Sequence, residues 1–200
     1  MNIKQKLLQV LYPIIMRLSK SPSGKGKMLV NPKGVEPKSP FYDLTAQLND
    51  GKVLDFGQLK GKKVLLVNTA SNCGYTGQYA ELQKVHEKYQ DQVAIIGFPA
   101  NDFKEQEKAD DEEIAQFCQV NFGVDFPLSQ KSRVINGAGQ HPVYQWLTQT
   151  DKNGWNNQQP DWNFSKYLVD ENGRLTHYFG PDISPLGEEV IEALEKKKSS

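Results

Sequence analysis

Lys63-Val64-Leu65-Leu66-Val67-Asn68-Thr69 is an apolar, β-branched run bounded by Gly61, and it leads directly into Ala70-Ser71-Asn72-Cys73-Gly74. A short run of this composition reads as a central strand buried on both faces. A second such run, Val93-Ala94-Ile95-Ile96-Gly97-Phe98, stops at Pro99. Between the two, Leu82, Val85 and Tyr89 fall near helical spacing, which predicts a helix over 78–90. Outward from this core, Phe41 to Ala46 begins an ordered segment and Asp50-Gly51 predicts a hairpin turn. Residues 110–121 read as a helix capped by Asp110 or Asp111, and 141–150 as another. Asn172-Gly173 between Tyr167-Leu168-Val169 and Leu175-Thr176-His177-Tyr178 signals a hairpin. Leu186 to Lys196 closes the chain as a helix, with Lys196, Lys197 and Lys198 at its negative end. Strand, helix, strand and helix followed by a hairpin and a helix imply a mixed α/β sheet with helices on both faces.

The 200-residue chain is 38% hydrophobic and 24% charged, enough for one domain with an ordinary core and an appendage. Its zero net charge is unevenly placed. Residues 1–40 hold eight basic side chains (Lys4, Lys6, Arg17, Lys20, Lys25, Lys27, Lys33, Lys38) against Glu36, and 41–200 hold 16 basic and 23 acidic residues. The acidic body argues against a nucleic-acid binder. We divide the chain into a basic N-terminal extension with a linker, 1–40, and a folded domain, 41–200. Within the extension, Leu7 to Met16 is a short apolar run between basic residues. Three readings stand: a terminal segment resting on the domain or mobile, a membrane-surface helix using Leu7, Leu11, Ile14 and Leu18, and a secretory signal. Pro13 would kink or break such a helix. The absence of a small-x-small site after the run argues against a signal. Residues 20–40, rich in Ser, Gly, Pro and Lys, read as linker.

Only Cys73 and Cys118 are cysteines, so a disulfide-built scaffold is disfavoured. Cys73 follows a buried strand and precedes a helix. Ligands bind at such strand ends, and the unpaired N–H groups of a helix N-terminus favour thiolate over thiol. Gly74 lets the backbone approach the sulfur. Position alone leaves an inert buried cysteine open as the alternative. His86, His141 and His177 are scattered without ligand spacing, so no metal is expected; no dinucleotide or P-loop glycine pattern occurs, and no cofactor is expected. Thr76, three residues after Cys73, removes the Cys-x-x-Cys of a disulfide reductase.

Val67-Asn68-Thr69-Ala70-Ser71-Asn72-Cys73-Gly74-Tyr75-Thr76 resembles the signature of the glutathione peroxidase family. A second family-like block is Gly97-Phe98-Pro99-Ala100-Asn101-Asp102-Phe103 followed by Gln106-Glu107, and a third is Trp162-Asn163-Phe164. The three come in the family's order and spacing, and the likeness covers 41–195. The resemblance implies a thioredoxin-like fold: a mixed central sheet flanked by helices, here with an N-terminal extension. It implies that Cys73 is the peroxide-reactive thiolate and that Gln106, Trp162 and Asn163 complete a catalytic tetrad. Amide and indole N–H groups are neutral donors that can orient a peroxide and hold charge as it moves from sulfur to the leaving oxygen.

By the same resemblance, Cys118 matches the resolving cysteine of the thioredoxin-dependent, non-selenium branch. The implied cycle is a Cys73 sulfenic acid, a Cys73–Cys118 disulfide and reduction by thioredoxin. Two alternatives remain: a one-cysteine enzyme recycled by glutathione, and a peroxide sensor relaying oxidation to a partner protein. The short connection from Thr150 to Asp161 implies a monomer with an open active-site face that admits hydrogen peroxide and lipid hydroperoxides. The expected location is cytoplasmic, with residues 1–20 as the candidate peripheral membrane contact.

The chain departs from the family pattern at several positions. Asp102 replaces a usual Gln; its carboxylate could raise the Cys73 pKa, face solvent or pair with Lys104, which replaces a usual Gly. Ala100 stands where many relatives carry another cysteine, Lys108-Ala109 where Pro-Gly is usual, and Thr69 where Val is common.

Overall fold

The computed structural model describes residues 3–18 and 26–196. The linker residues 19–25 and the basic Lys197 and Lys198 lie outside the described residues. The run that opens the reading is the middle of the sheet. It forms β4 (Lys63–Thr69), all seven residues buried. β4 pairs in parallel with β5 (Val93–Pro99) and antiparallel with β6 (Lys166–Val169). β6 forms the expected hairpin with β7 (Leu175–Phe179). β7 in turn pairs antiparallel with β1 (Met28–Val30), giving the order β1-β7-β6-β4-β5. β1 lies in the segment read as linker. Three residues without alternation are too short for a periodicity signal, and the pairing with β7 supplies the order. A separate hairpin joins β2 (Thr45–Gln47) to β3 (Val53–Asp55) across the Asp50-Gly51 turn.

Strand alternation gives each face of the sheet its own core. Leu65, Val67, Val93 and Ile95 point to one side. There they meet α2 (Gln78–Tyr89), α3 (Asp111–Phe122) and α6 (Glu188–Glu195) through residues such as Leu82, Ile114 and Val190. Val64, Leu66, Ile96 and Phe98 point to the other. They pack with Phe41, Phe56 and the buried face of α4 (Pro142–Thr148), which is followed by the single-turn α5 (Thr150–Asn153). Helices therefore cover both faces, as the element order predicts.

α3 is capped at both ends. The Asp110 side chain accepts the Glu113 N–H, the capping arrangement predicted for this helix. At the other end Gly123 has φ +66°, and the N–H groups of Gly123 and Val124 reach the carbonyls of Gln119 and Cys118. α6 ends at its C-cap Lys196, as expected, and a second lysine joins it there. The buried Lys63 amine, from the start of β4, donates to the carbonyls of Ala193, Leu194 and Lys196. A cation from the sheet thus meets the negative end of this helix.

The N-terminal run forms α1 (Ile3–Leu18), a continuous helix with Pro13 inside it. Pro13 is exposed, so the carbonyl it leaves without a backbone donor is on the solvent side. Gln5, Leu8, Tyr12, Ile15 and Met16 form its half-buried stripe against the domain, and no α1 residue is fully buried. Among the described residues no helix is long and apolar enough to cross a membrane.

Because one side-chain oxygen caps the first turn of α3, Asp110→Ala should lower stability by about 0.5–2 kcal/mol. Urea unfolding followed by circular dichroism measures it; an unchanged midpoint would mean the cap contributes nothing.

Candidate active site

The end of β4 brings three segments together. Asn68, fully buried on β4, donates from Nδ2 to the Trp162 carbonyl at 3.0 Å and accepts the Phe164 N–H at its own carbonyl at 2.6 Å. Three residues past the strand, the Asn72 N–H donates to the Gln106 carbonyl at 3.1 Å. Beside it, Glu107 Oε2 accepts both the Ser71 N–H (2.7 Å) and the Ser71 hydroxyl (2.8 Å). The residues predicted from three separate stretches, Cys73, Gln106 and Trp162-Asn163, are held by bonds to one short piece of backbone.

Cys73 is 1% exposed. Its sulfur accepts the Tyr75 N–H at 3.4 Å. The Trp162 indole, the Asn163 amide and the Gly74 N–H lie close enough to favour the thiolate. Burial nevertheless pushes the thiol above its ordinary value, and these donors pull it back only in part. The expectation that a helix N-terminus lowers this pKa therefore names real donors but misses the larger opposing term, loss of solvent. The loop itself is locked by Thr76, whose hydroxyl accepts the Cys73 N–H and faces the carbonyls of Ala70 and Cys73. Tight turns from Cys73 to Gly77 then lead into α2.

Gln106 meets the site through Asn163, whose Nδ2 donates to Gln106 Oε1 at 2.9 Å. Gln106 is not among the groups acting on the sulfur, so in this conformation it orients Asn163. Trp162 packs against Phe103, ring centroids 5.4 Å apart, and the Lys104 ammonium lies over its ring. Phe164 has φ +66°, an uncommon conformation for a bulky residue, immediately after the Trp162-Asn163 pair. The turn is fastened by Asn68 and by the buried Lys166 amine, which donates to the Phe164 carbonyl and to Gln78 Oε1. Burial lowers the Lys166 pKa to about 7.

The departures from the family pattern find physical places. Asp102 neither acts on Cys73 nor pairs with Lys104; its carboxylate accepts the Val134 N–H at 2.7 Å. Lys104 has φ +50°, which explains why glycine suits that position. Glu105 follows with φ +52° and pairs with Lys108.

Cys118 is fully buried on α3, and both cysteines are free. They share one apolar core, where burial pushes the Cys118 thiol up to about 12. The Tyr79 hydroxyl faces Cys118 and Thr69 without a hydrogen bond of normal length. The expected open active-site face is not found. α1 lies across the Cys73 loop: Gln5 reaches the Ser71 carbonyl, Ile15 sits over Gly74 and the Tyr12 ring fills the space beside Gly77. Sequence reasoning gave no role to Glu107, Asn68, Thr76 or Lys166. The signal available for them was polarity next to buried strands, which does not name partners. Among the described residues no His, Cys, Asp and Glu cluster could hold a metal ion.

The model of the glutathione peroxidase family matches residues 41–148. The chain belongs to the glutathione peroxidase family. A glutathione peroxidase-like peroxiredoxin 2 of Saccharomyces cerevisiae is 43% identical over 159 residues, 78% of this chain and 98% of that protein. The crystal structure of a glutathione peroxidase of T. cruzi superposes with a TM-score of 0.57 at 31% identity, covering 78% of this chain and 93% of the other. A thiol:disulfide interchange protein of the thioredoxin family from Chlorobium tepidum has a TM-score of 0.56 at 13% identity, over 80% and 93% of the two chains. That likeness establishes the thioredoxin-like fold alone. As a member of the glutathione peroxidase family the protein is a peroxide oxidoreductase.

Glu107 gives this family site a pH-dependent fastening. Burial raises its carboxyl pKa from 4.5 to about 7, against the pull of the Ser71 bonds. Between those values the folded protein keeps a proton that the unfolded chain has lost. This contribution to stability is therefore complete below 4.5 and disappears as pH rises to about 7. Glu107→Gln should flatten this part of the profile. Urea midpoints at about pH 5 and about pH 8 test it; equal slopes in both proteins would show that Glu107 does not titrate there.

Proposed function

We propose that the protein is a thiol peroxidase that reduces hydrogen peroxide and organic or lipid hydroperoxides at Cys73 and is recycled by thioredoxin through a Cys73–Cys118 disulfide. The observation that carries the proposal is the buried sulfur of Cys73, which accepts the Tyr75 N–H and has the neutral Gly74 N–H, Trp162 indole and Asn163 amide close enough to favour its thiolate. In this reading the thiolate attacks one peroxide oxygen, an S–O bond forms, the O–O bond breaks and the second oxygen leaves as hydroxide or alkoxide. The charge leaves sulfur for that oxygen, and donors already fixed in place follow it without reorganisation. Neutral donors serve both states, since none forms an ion pair that must be broken as the charge moves. Gln106 acts by holding Asn163.

The Cys118 thiol then attacks the Cys73 sulfenic acid, a disulfide forms and water leaves. Thioredoxin returns two electrons and two protons. Cys118 lies on a helix capped at both ends, so the disulfide requires that helix to unwind locally. The name of the yeast relative, a peroxiredoxin, supports this two-cysteine cycle. The buried, helical setting of Cys118 favours a second reading, in which glutathione attacks the sulfenic acid directly and Cys118 takes no part. We further infer a monomer, and peripheral contact of residues 1–20 with a membrane.

Coupled turnover of hydrogen peroxide with thioredoxin and thioredoxin reductase should be lost in both Cys73→Ser and Cys118→Ser, while Cys118→Ser still consumes one equivalent of peroxide. Glutathione-coupled turnover surviving in Cys118→Ser would install the one-cysteine cycle instead. A Cys73→Ser protein that still turns over would remove Cys73 from the chemistry.

A further inference from the structure

α1 has two apolar sides. Its half-buried stripe, Gln5, Leu8, Tyr12, Ile15 and Met16, rests on the loop that carries Cys73. The contacts bracket the cysteine. Gln5 Nε2 donates to the Ser71 carbonyl at 3.4 Å, two residues before it. Ile15 Cδ1 would lie 3.3 Å from a Cβ on Gly74, the residue after it. The Tyr12 ring would lie 2.5 Å from a Cβ on Gly77, and Gln78 Nε2 meets Met16 Sδ at 3.7 Å. Gly74 and Gly77 thus form a seat that is open because two side chains are missing. The seat is the active-site loop itself.

The opposite side of α1 has no cover. Ile3, Leu7, Val10 and Ile14 follow helical spacing and are 87%, 56%, 74% and 54% exposed, with Leu18 beyond them at 77%. Lys4, Lys6 and Arg17 flank this stripe, and the helix holds no acidic residue. Exposed aliphatic side chains between cations fit a lipid surface with anionic headgroups. The charge pattern selects that occupant, and α1 is too short and too polar to span.

Resting on the domain, α1 can offer a bilayer only its outer stripe. Released, it can also insert Leu8, Tyr12, Ile15 and Met16. The bilayer therefore binds the released state better, and only such a difference lets a ligand shift an equilibrium. The docked state has little to oppose it, since no α1 residue is fully buried. We propose that α1 is a cover over Cys73 that an anionic bilayer draws off the 71–78 loop, so that the peroxidase works fastest at the membrane surface. This rests on the membrane contact inferred above and adds the opening of the site to it.

The test is single-turnover oxidation of Cys73 by hydrogen peroxide, with full-length protein alone, with phosphatidylglycerol vesicles and with phosphatidylcholine vesicles. Hydrogen peroxide is not concentrated by lipid, so acceleration reports access to the sulfur. A cover open about a tenth of the time predicts about tenfold acceleration on the anionic vesicles, and none is expected on the neutral ones. Val10→Glu/Ile14→Glu, altering only the outer stripe, should abolish vesicle binding and acceleration and leave the rate in solution unchanged. Tyr12→Asp/Ile15→Asp, which places carboxylates against the seat, the first of them next to Glu81 of α2, should react fast without vesicles. Vesicles that co-sediment with the protein without accelerating it would overturn the cover and leave the membrane contact standing. No co-sedimentation would overturn both. A slow Tyr12→Asp/Ile15→Asp protein would show that α1 does not limit access to Cys73.

Discussion

The C-terminal end of β4 is the point on which the site depends. Buried on both faces and paired on both edges, the strand cannot shift without disturbing two cores. Its last turn of backbone therefore serves as a fixed reference. Asn68 holds the Trp162–Phe164 turn from there, and Ser71 with Asn72 holds Gln106 and Glu107. Each bond is an ordinary one, worth about 1 kcal/mol net or somewhat more where a carboxylate takes part. Their joint effect is positional: three loops that could each wander are referred to one rigid strand, and the donors around Cys73 inherit its precision.

Electrostatics at the sulfur follows from the same arrangement. The site is buried enough to penalise a thiolate, yet among the described residues no cation acts on Cys73. A lysine or arginine there would stabilise the thiolate strongly and would have to let go of that charge as it moved to oxygen. Fixed N–H dipoles lose less in the transfer, and their advantage grows where water is excluded. Burial of the thiol and the choice of neutral donors are thus two sides of one solution. α1, which packs on Gly74 and Gly77 beside this site, lies outside the residues matched by the family model.

Much of this was legible in the sequence because it depends on local pattern. β4, β5 and the β6–β7 hairpin are runs whose composition admits little else, and Asp110 announces α3 through cap chemistry. That Cys73, Gln106, Trp162 and Asn163 come together was legible only through the family resemblance, not through spacing, since they meet only after the chain has folded. What stayed hidden is pairwise. Nothing in Met28-Leu29-Val30 names β7 as its partner, and Lys63 at the head of a strand gives no sign that it will cap a helix some 130 positions later. The low Lys104 and Glu105 preference for positive φ could only suggest strain once the backbone was known. Pro13 argued against a continuous α1, yet it sits on the exposed side where one missing N–H costs least.

α3 carries the remaining tension in the design. The two caps that secure it also secure Cys118, whose carbonyl takes part in the C-terminal lock with Val124. If Cys118 resolves the Cys73 sulfenic acid as proposed, it must leave this helix, and each cap raises the energy of doing so. The opposing advantage is protection: a buried thiol held far toward its protonated form is a poor nucleophile and a poor target for stray oxidants. Helix ends open more readily than helix centres, and Cys118 lies in the last two turns, five residues before Gly123. In the proposed cycle, unwinding from the Gly123 end would release Cys118 while the Asp110 cap keeps the first turns in place. The two caps act on opposite ends of α3, so opening at the Gly123 end leaves the Asp110 cap intact.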